Sequence, residues 1–249
     1  MNPYFCDLHI HSCLSPCADD DMTPANIAGM AVLNGLQIVA LTDHNTSANC
    51  PPFFAHAKRL GLIPVGGMEV TTSEDIHAVC LFPDLDSTMA FDAFVARRRS
   101  KVPNRTDLFG NQFLMDEEDE VCGEIPELLI PATDLSLSEV HAEVTRRGGA
   151  LYPAHIDRTS NGMLSILGGF PPTPRLTAYE LHDGASNDAL LTKHPLLSEL
   201  VRTVSSDAHH LWDIAEAEFS LFLSDEPYSS DRVRRALISL LRGECAEYW

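Results

Sequence analysis

Apolar residues in this chain fall mostly in short unbroken runs rather than alternating with polar ones. Eight such runs predict strands: Phe5–His11, Gln37–His44, Ile63–Val70, Ile76–Phe82, Ala150–His155, Ala178–His182, Thr203–Asp207 and Phe219–Leu223. A strand that is apolar on both faces must be covered on both faces, as strands are in α/β proteins. The stretches between them carry helix signals. Thr23 is placed to cap a helix that starts at Pro24 and stops at Gly35. Ser136 and Glu139 have capping-box spacing, and Leu137, Val140 and Val144 then line one face until Gly148. Val233, Ala236, Leu237, Leu240 and Leu241 follow the i, i+3, i+4, i+7, i+8 rule of a final amphipathic helix. Strands alternating with helices predict a parallel α/β architecture, and eight strands a closed or nearly closed barrel.

Two stretches break this rhythm. Residues 97–133 open with the basic run Arg97, Arg98, Arg99 and Lys101 and later carry Asp116, Glu117, Glu118, Asp119 and Glu120. Both runs are expected to be solvated faces. The connection from Asp157 to Arg175 holds Gly168, Gly169, Pro171, Pro172 and Pro174, the composition of a lid or substrate wall. Neither has the character of a linker, and no repeat is present. Residues 1–249 therefore read as one barrel domain with an irregular insertion around 97–133.

Composition is that of an ordinary globular protein except in its charge. Seventeen Lys plus Arg face 36 Asp plus Glu, a formal net of −19. Such a surface repels a phosphate backbone and an anionic membrane. Bulk nucleic-acid binding and membrane association are therefore disfavoured, and any phosphate-bearing substrate must meet a local positive charge that the whole-chain count hides. No apolar run is long enough to span a bilayer, and no secretory pattern opens the chain, so a cytoplasmic protein is expected. Its seven cysteines (Cys6, Cys13, Cys17, Cys50, Cys80, Cys122 and Cys245) form no paired CxxC pattern and read as free thiols.

The strand ends change the picture. In Asp7-Leu8-His9-Ile10-His11 the two imidazoles share one face of an extended chain and can grip one divalent ion. The later runs end in or contain His44, Glu69, His77, His155, and Asp207 with His209. Six of eight strands thus bring His, Asp or Glu to one rim, where α/β barrels build their active sites. Imidazole and carboxylate ligands suit Zn²⁺, Mn²⁺ or Fe²⁺ rather than Ca²⁺ or Mg²⁺, and their number suits more than one ion. His56 and His141 fall on helices, where they read as structural. His194, in a loop, and His210 are expected to orient their surroundings. His182, at the end of the sixth strand, reads as structural with a role beside the ligands or the substrate as the alternative, and Asp43 is expected to anchor the turn beside His44.

The motifs DLHIHS, LTDHN, GMEVTT, DIHAVCLF, PAHIDR and SSDAHH, in that order from Asp7 to the histidines at 209 and 210, resemble those of the PHP (polymerase and histidinol phosphatase) family. The resemblance implies a distorted (β/α)7 TIM-like barrel, which would leave one of the eight strands peripheral. It also implies two to three divalent ions and hydrolysis of phosphate esters, with a small phosphorylated substrate or nucleotide as the expected partner. By position, His9 and His11 resemble ligands of a first ion joined by Asp207, and Glu69 a carboxylate bridging two ions. His77 and His155 resemble ligands of a second ion, and His44 and His209 of a third. The loop after His11 departs from the relatives' HSxxSDG. Asp19 matches the missing ligand best, with Asp20 and Asp21 as alternatives.

The implied reaction is attack on phosphorus by a metal-activated hydroxide held by Glu69. Arg158, three residues past His155, is the expected group for a substrate phosphate, because guanidinium pairs bidentately with phosphate oxygens. A nuclease acting on single-stranded ends and a non-catalytic regulatory PHP module are the alternatives to a small-molecule phosphoesterase.

Overall fold

The computed structural model describes residues 1–244; Cys245 lies outside them. The chain order is β1 (Asn2–Asp7), α1 (Pro24–Leu33), β2 (Ile38–Leu41), α2 (Cys50–Arg59), β3 (Ile63–Thr71), β4 (His77–Phe82) and α3 (Leu85–Val95). Then follow α4 (Thr106–Phe109), β5 (Phe113–Met115), β6 (Val121–Glu124), α5 (Leu137–Arg146), β7 (Ala150–Pro153) and α6 (Met163–Leu167). The last elements are β8 (Ala178–Leu181), α7 (Asn187–Lys193), β9 (Val201–Val204), β10 (Ser220–Leu223) and α8 (Ser230–Leu241). All eight predicted strands are present, most of them ending a few residues earlier than the apolar runs do.

Six strands form one sheet in the order β10-β1-β2-β3-β4-β7, and β8 pairs with β9 alone. The sheet curls, and its rim ends are tied by single contacts rather than ladders. Ile156 donates its N–H to the Glu180 carbonyl at 3.0 Å, which joins the β7 end to β8. Ile10 bridges Ala208, which joins the β1 end to the segment after β9. The architecture is thus α/β with a curled sheet. β10 is an edge strand of this sheet, antiparallel to β1.

One expectation needs correcting. The sheet is mixed, because β4 runs antiparallel to both β3 and β7. The few residues between β3 and β4 allow only a tight return, whereas a parallel crossover needs a dozen or more. His77 therefore reaches the functional rim from the amino end of its strand, while the other strands reach it from their carboxyl ends.

The helices follow their signals. Thr23 accepts from the Asn26 N–H and Pro24 starts α1, whose Ile27, Ala28 and Ala31 are buried. Ser136 and Glu139 form the capping box of α5. Val233, Leu237 and Leu241 of α8 share an apolar cluster with Leu8, Val65, Val79 and Tyr152 from the sheet. Among the described residues, no helix is long and apolar enough to cross a membrane.

The 97–133 stretch carries α4 and the β5–β6 hairpin and braces the rim. Phe113 donates its N–H to the Cys13 carbonyl at 3.0 Å, and Asn49 Nδ2 donates to the Phe113 carbonyl at 3.0 Å. Asn45, next to His44, donates from Nδ2 to the Leu129 carbonyl at 2.6 Å. The acidic run is not wholly solvated. Asp119 accepts from Thr23 Oγ1 at 2.6 Å and the Ala25 N–H at 3.0 Å, so it caps α1 from outside.

Candidate metal centre

The centre of the rim is Glu69, the seventh residue of β3 and buried. Five imidazoles surround its carboxylate, and they divide between the two oxygens. Oε1 lies 2.8 Å from His77 Nδ1, 3.3 Å from His155 Nε2 and 3.4 Å from His9 Nε2. Oε2 lies 3.0 Å from His44 Nδ1 and 3.4 Å from His11 Nε2. Asp207 Oδ1 completes the cluster at 3.1 Å from His11 Nε2 and 3.3 Å from His9 Nε2. His209 stacks on His11 with ring centroids 4.3 Å apart.

Among the described residues, donor atoms close enough to share an ion fall into three groups: His9, His11, Glu69 and Asp207; His44, Glu69 and His77; and His11, His44 and His209. Glu69 belongs to two of them, as a bridging carboxylate must. The fit to cations has an independent sign. Glu69 Oε2, His44 Nδ1 and His77 Nδ1 are buried without a hydrogen-bond partner. Buried polar atoms are nearly always paired, and lone pairs aimed at a common point are what a divalent ion satisfies.

Backbone geometry aims these groups. His155 and Asp207 stand just beyond β7 and β9, at φ values of 27° and 53°. Non-glycine residues rarely occupy that region, and such strain concentrates at functional sites. The turn at Asp207 replaces the extended course expected there, and its carbonyl lies 2.8 Å from His209 Nδ1.

A layer of buried carboxylates and hydroxyls holds the imidazoles. His9 Nδ1 lies 2.9 Å from Glu180 Oε1, and the same oxygen accepts the His155 N–H at 3.1 Å. His11 Nδ1 lies 2.9 Å from Ser15 Oγ, which donates to Asp43 at 2.8 Å. Asp43 also takes both the N–H and the hydroxyl of Ser12 at 2.7 Å, the anchoring expected of it. Asp7 binds the Ser206 hydroxyl at 2.6 Å and the Ala215 N–H at 3.0 Å, fixing the segment that carries Asp207. Sequence reasoning did not single out Glu180 or Asp7.

The electrostatics sort the imidazoles. Burial opposes protonation of His9, but the carboxylates of Glu180, Glu69 and Asp207 hold its pKa well above the ordinary value. His11 rises to about 9, Asp207 and Glu69 outweighing its burial. His44 falls to about 4 and His209 to about 3, each through burial and then the neighbouring His11. Burial would raise Glu69, but His77, His9 and His44 hold it well below the carboxylate range. Two ionised carboxylates and an imidazole array therefore share one buried volume, a donor set suited to Zn²⁺, Mn²⁺ or Fe²⁺.

Of the nine expected ligands the donor groups hold seven; His155 stands outside them but still beside Glu69, its Nε2 3.3 Å from Oε1, whereas Asp19 is left out. Its carboxylate lies at the surface, 2.7 Å from His210 Nδ1, outside the three groups. Asp20 accepts from Asn111 Nδ2 at 2.9 Å, and Asp21 lends its carbonyl to Asn26. The longer loop turns all three acids away from the donor cluster. Arg158 does reach the rim. Its guanidinium pairs with Asp207 and lies 3.1 Å from His182 Nδ1. Cys13 and Cys17 belong to none of the donor groups.

Residues 7–145 match the model of the PHP domain. A 5'-3' exoribonuclease of Haemophilus influenzae is 29% identical over 161 residues, 62% of this chain and 52% of that protein. The chain thus spans about half the length of the curated relative it matches. The lesion-specific endonuclease Q of Pyrococcus furiosus superposes with a TM-score of 0.63 at 17% identity, over 98% of this chain and 57% of that one. A candidate metal-dependent phosphoesterase of Bifidobacterium adolescentis superposes with a TM-score of 0.56 at 19% identity, over 93% and 95% of the two chains. At these identities the structural likeness is one of fold.

These relatives overturn one expectation. Net charge argues against nucleic acid, and the resemblance implies a small phosphorylated partner. Yet the sequence relative is an exoribonuclease, and endonuclease Q has been solved with a 27-mer duplex substrate. The reason is one of scale. A whole-chain charge of −19 averages over the entire surface, whereas contact with a few phosphates needs positive charge only locally. The match covers more than half of the chain, and the residues it shares with the donor cluster, from His9 to His77, occupy the rim: this chain belongs to the PHP domain family.

Proposed function

We propose that this protein is a metal-dependent nuclease that hydrolyses phosphodiester bonds in nucleic acid at the Glu69 rim. One observation carries the reading: five imidazoles converge on a single buried carboxylate whose two oxygens face different partners, with Asp207 against two of those imidazoles. The exoribonuclease relative supports the substrate class.

His9, His11, Glu69 and Asp207 would hold one ion, Glu69 with His77 and His155 a second, and His44 with His209 a third. Two to three divalent ions there would supply an acidified water and neutralise charge on the phosphate oxygens. The chain's own residues do the rest. Glu180 and Ser15 keep the His9 and His11 rings turned so that both Nε2 atoms face the centre. A cavity of about 200 Å³, lined by His44, Glu69, His77, His155 and Asp207 among others, gives room for one phosphate group. Arg158 lines both this cavity and a larger one of about 640 Å³ beside it. It would bind a second phosphate of the strand and give up part of its contact with Asp207 to do so. Strands β1, β2, β3, β4, β7, β8 and β9 would be the seven staves of the distorted barrel.

The test is hydrolysis of 5'-phosphorylated single-stranded and duplex RNA and DNA oligonucleotides with Mn²⁺, Zn²⁺ or Fe²⁺. Cleavage should be lost in Glu69→Gln, which removes the bridge between two ion positions while keeping the side-chain shape. No cleavage of any oligonucleotide under any of these metals would reject the reading, as would near-normal turnover in Glu69→Gln.

A further inference from the structure

Trp212 is 75% exposed, in a short 3-10 turn spanning Leu211–Asp213. Exposed tryptophan is unusual, because burying its rings is strongly favourable. Among the described residues its one ring contact is with His210, face to face at 4.7 Å with an interplanar angle of 4°. His210 is itself held by Asp19 at 2.7 Å. The pair is therefore a fixed aromatic plate with one tryptophan face covered and the other open. Its position is informative. His210 follows His209 of the donor cluster, and both line the 640 Å³ cavity together with Arg158, Asp207 and Asp213.

We propose that the Trp212–His210 pair is a stacking platform for a nucleobase of single-stranded substrate, placed beside the phosphate held at the rim. This rests on the nuclease reading of the site. Every base has a π-face, so stacking on an aromatic ring holds a strand without reading its sequence. Bases within a duplex are already stacked on both faces, so the platform selects unpaired nucleotides. It also gives Asp19 a role outside metal binding, that of fixing the plate through His210.

The chain has two tryptophans, so Trp249→Phe leaves Trp212 as the sole reporter. The metal-loaded Trp249→Phe protein is titrated with a cleavage-resistant phosphorothioate decanucleotide and with an abasic strand of equal length. The base-bearing strand should quench Trp212 fluorescence, and the abasic one should not. In steady-state cleavage of unmodified single strands, Trp212→Ala should raise KM about tenfold with kcat within about twofold, and Trp212→Phe should recover most of the loss. If single strands are cleaved but quenching is absent and Trp212→Ala leaves KM unchanged, the platform is wrong and the nuclease reading stands. If quenching occurs but wild-type protein cleaves no oligonucleotide, the platform stands and the nuclease reading falls. Neither quenching nor cleavage overturns both.

Discussion

Glu180 on β8 lies 2.9 Å from His9 Nδ1, across 171 residues of sequence, and its same oxygen takes the His155 backbone N–H at 3.1 Å. One buried carboxylate thus fixes the ring of one donor and the backbone of another. With Nδ1 committed to Glu180, His9 presents Nε2 to Glu69 and Asp207. Outer groups of this kind set both the tautomer and the direction of a ligand ring.

Glu180→Gln should therefore weaken metal binding without unfolding the chain. The amide oxygen can still accept from both His9 and the His155 N–H, but the charge that raises ligand basicity is lost. Metal affinity, read by competition with a chelating dye, is expected to fall about 10- to 100-fold, with circular dichroism unchanged. An unaltered affinity would show that Glu180 serves only packing.

Arg158→Ala separates substrate contact from support of Asp207. A charge-assisted hydrogen bond contributes about 1.5–3 kcal/mol, so kcat/KM for an oligonucleotide should fall roughly 10- to 150-fold. A simple diester such as bis-p-nitrophenyl phosphate, with no second phosphate, should be nearly unaffected. Arg158→Lys should restore only part, because an ammonium cannot make the paired contact. Equal losses on both substrates would place the effect in the Asp207 pairing instead.

Two glycines give opposite stability predictions. A Cβ on Gly67, inside β3, would come within 2.6 Å of both the Cys80 carbonyl oxygen and Leu81 Cδ2 on the neighbouring strand. Gly67→Ala should lower stability by about 1–3 kcal/mol in urea denaturation, through overpacking. A Cβ on Gly29, in α1, meets nothing within 4 Å, so Gly29→Ala should gain up to about 1 kcal/mol. Equal midpoints for the two variants would refute the packing argument.

Metal removal should destabilise the whole molecule. Protein purified without chelator is expected to carry two to three divalent ions per chain by elemental analysis. Ions at about 100 times their Kd add about 2.7 kcal/mol to the folded state, so chelation should lower Tm by several degrees. His9→Ala with His11→Ala should lose at least one ion. Less than one ion per chain after reconstitution would count against the centre.

What the sequence determined is what lies within a few residues of itself. The spacing of His9 and His11 places two imidazoles together wherever that segment stays extended, and the unbroken apolar runs mark all eight strands that carry or flank the donors. Caps such as Thr23 and Ser136 act over three residues and were equally legible. Tertiary structure decided whatever depends on which segments meet. Only the reversal of β4 explains why His77 works from the start of its strand. Only the curl of the sheet brings Glu180 to His9, and a lone acid in an apolar run carries no local mark of that partner. The same holds for Asp119, which caps α1 from a distant hairpin, and for Asp19, which the loop after His11 hands to His210 rather than to the donor cluster. Local periodicity is a property of backbone geometry that every short segment carries, whereas these pairings depend on the direction, curl and length of elements far apart in the chain.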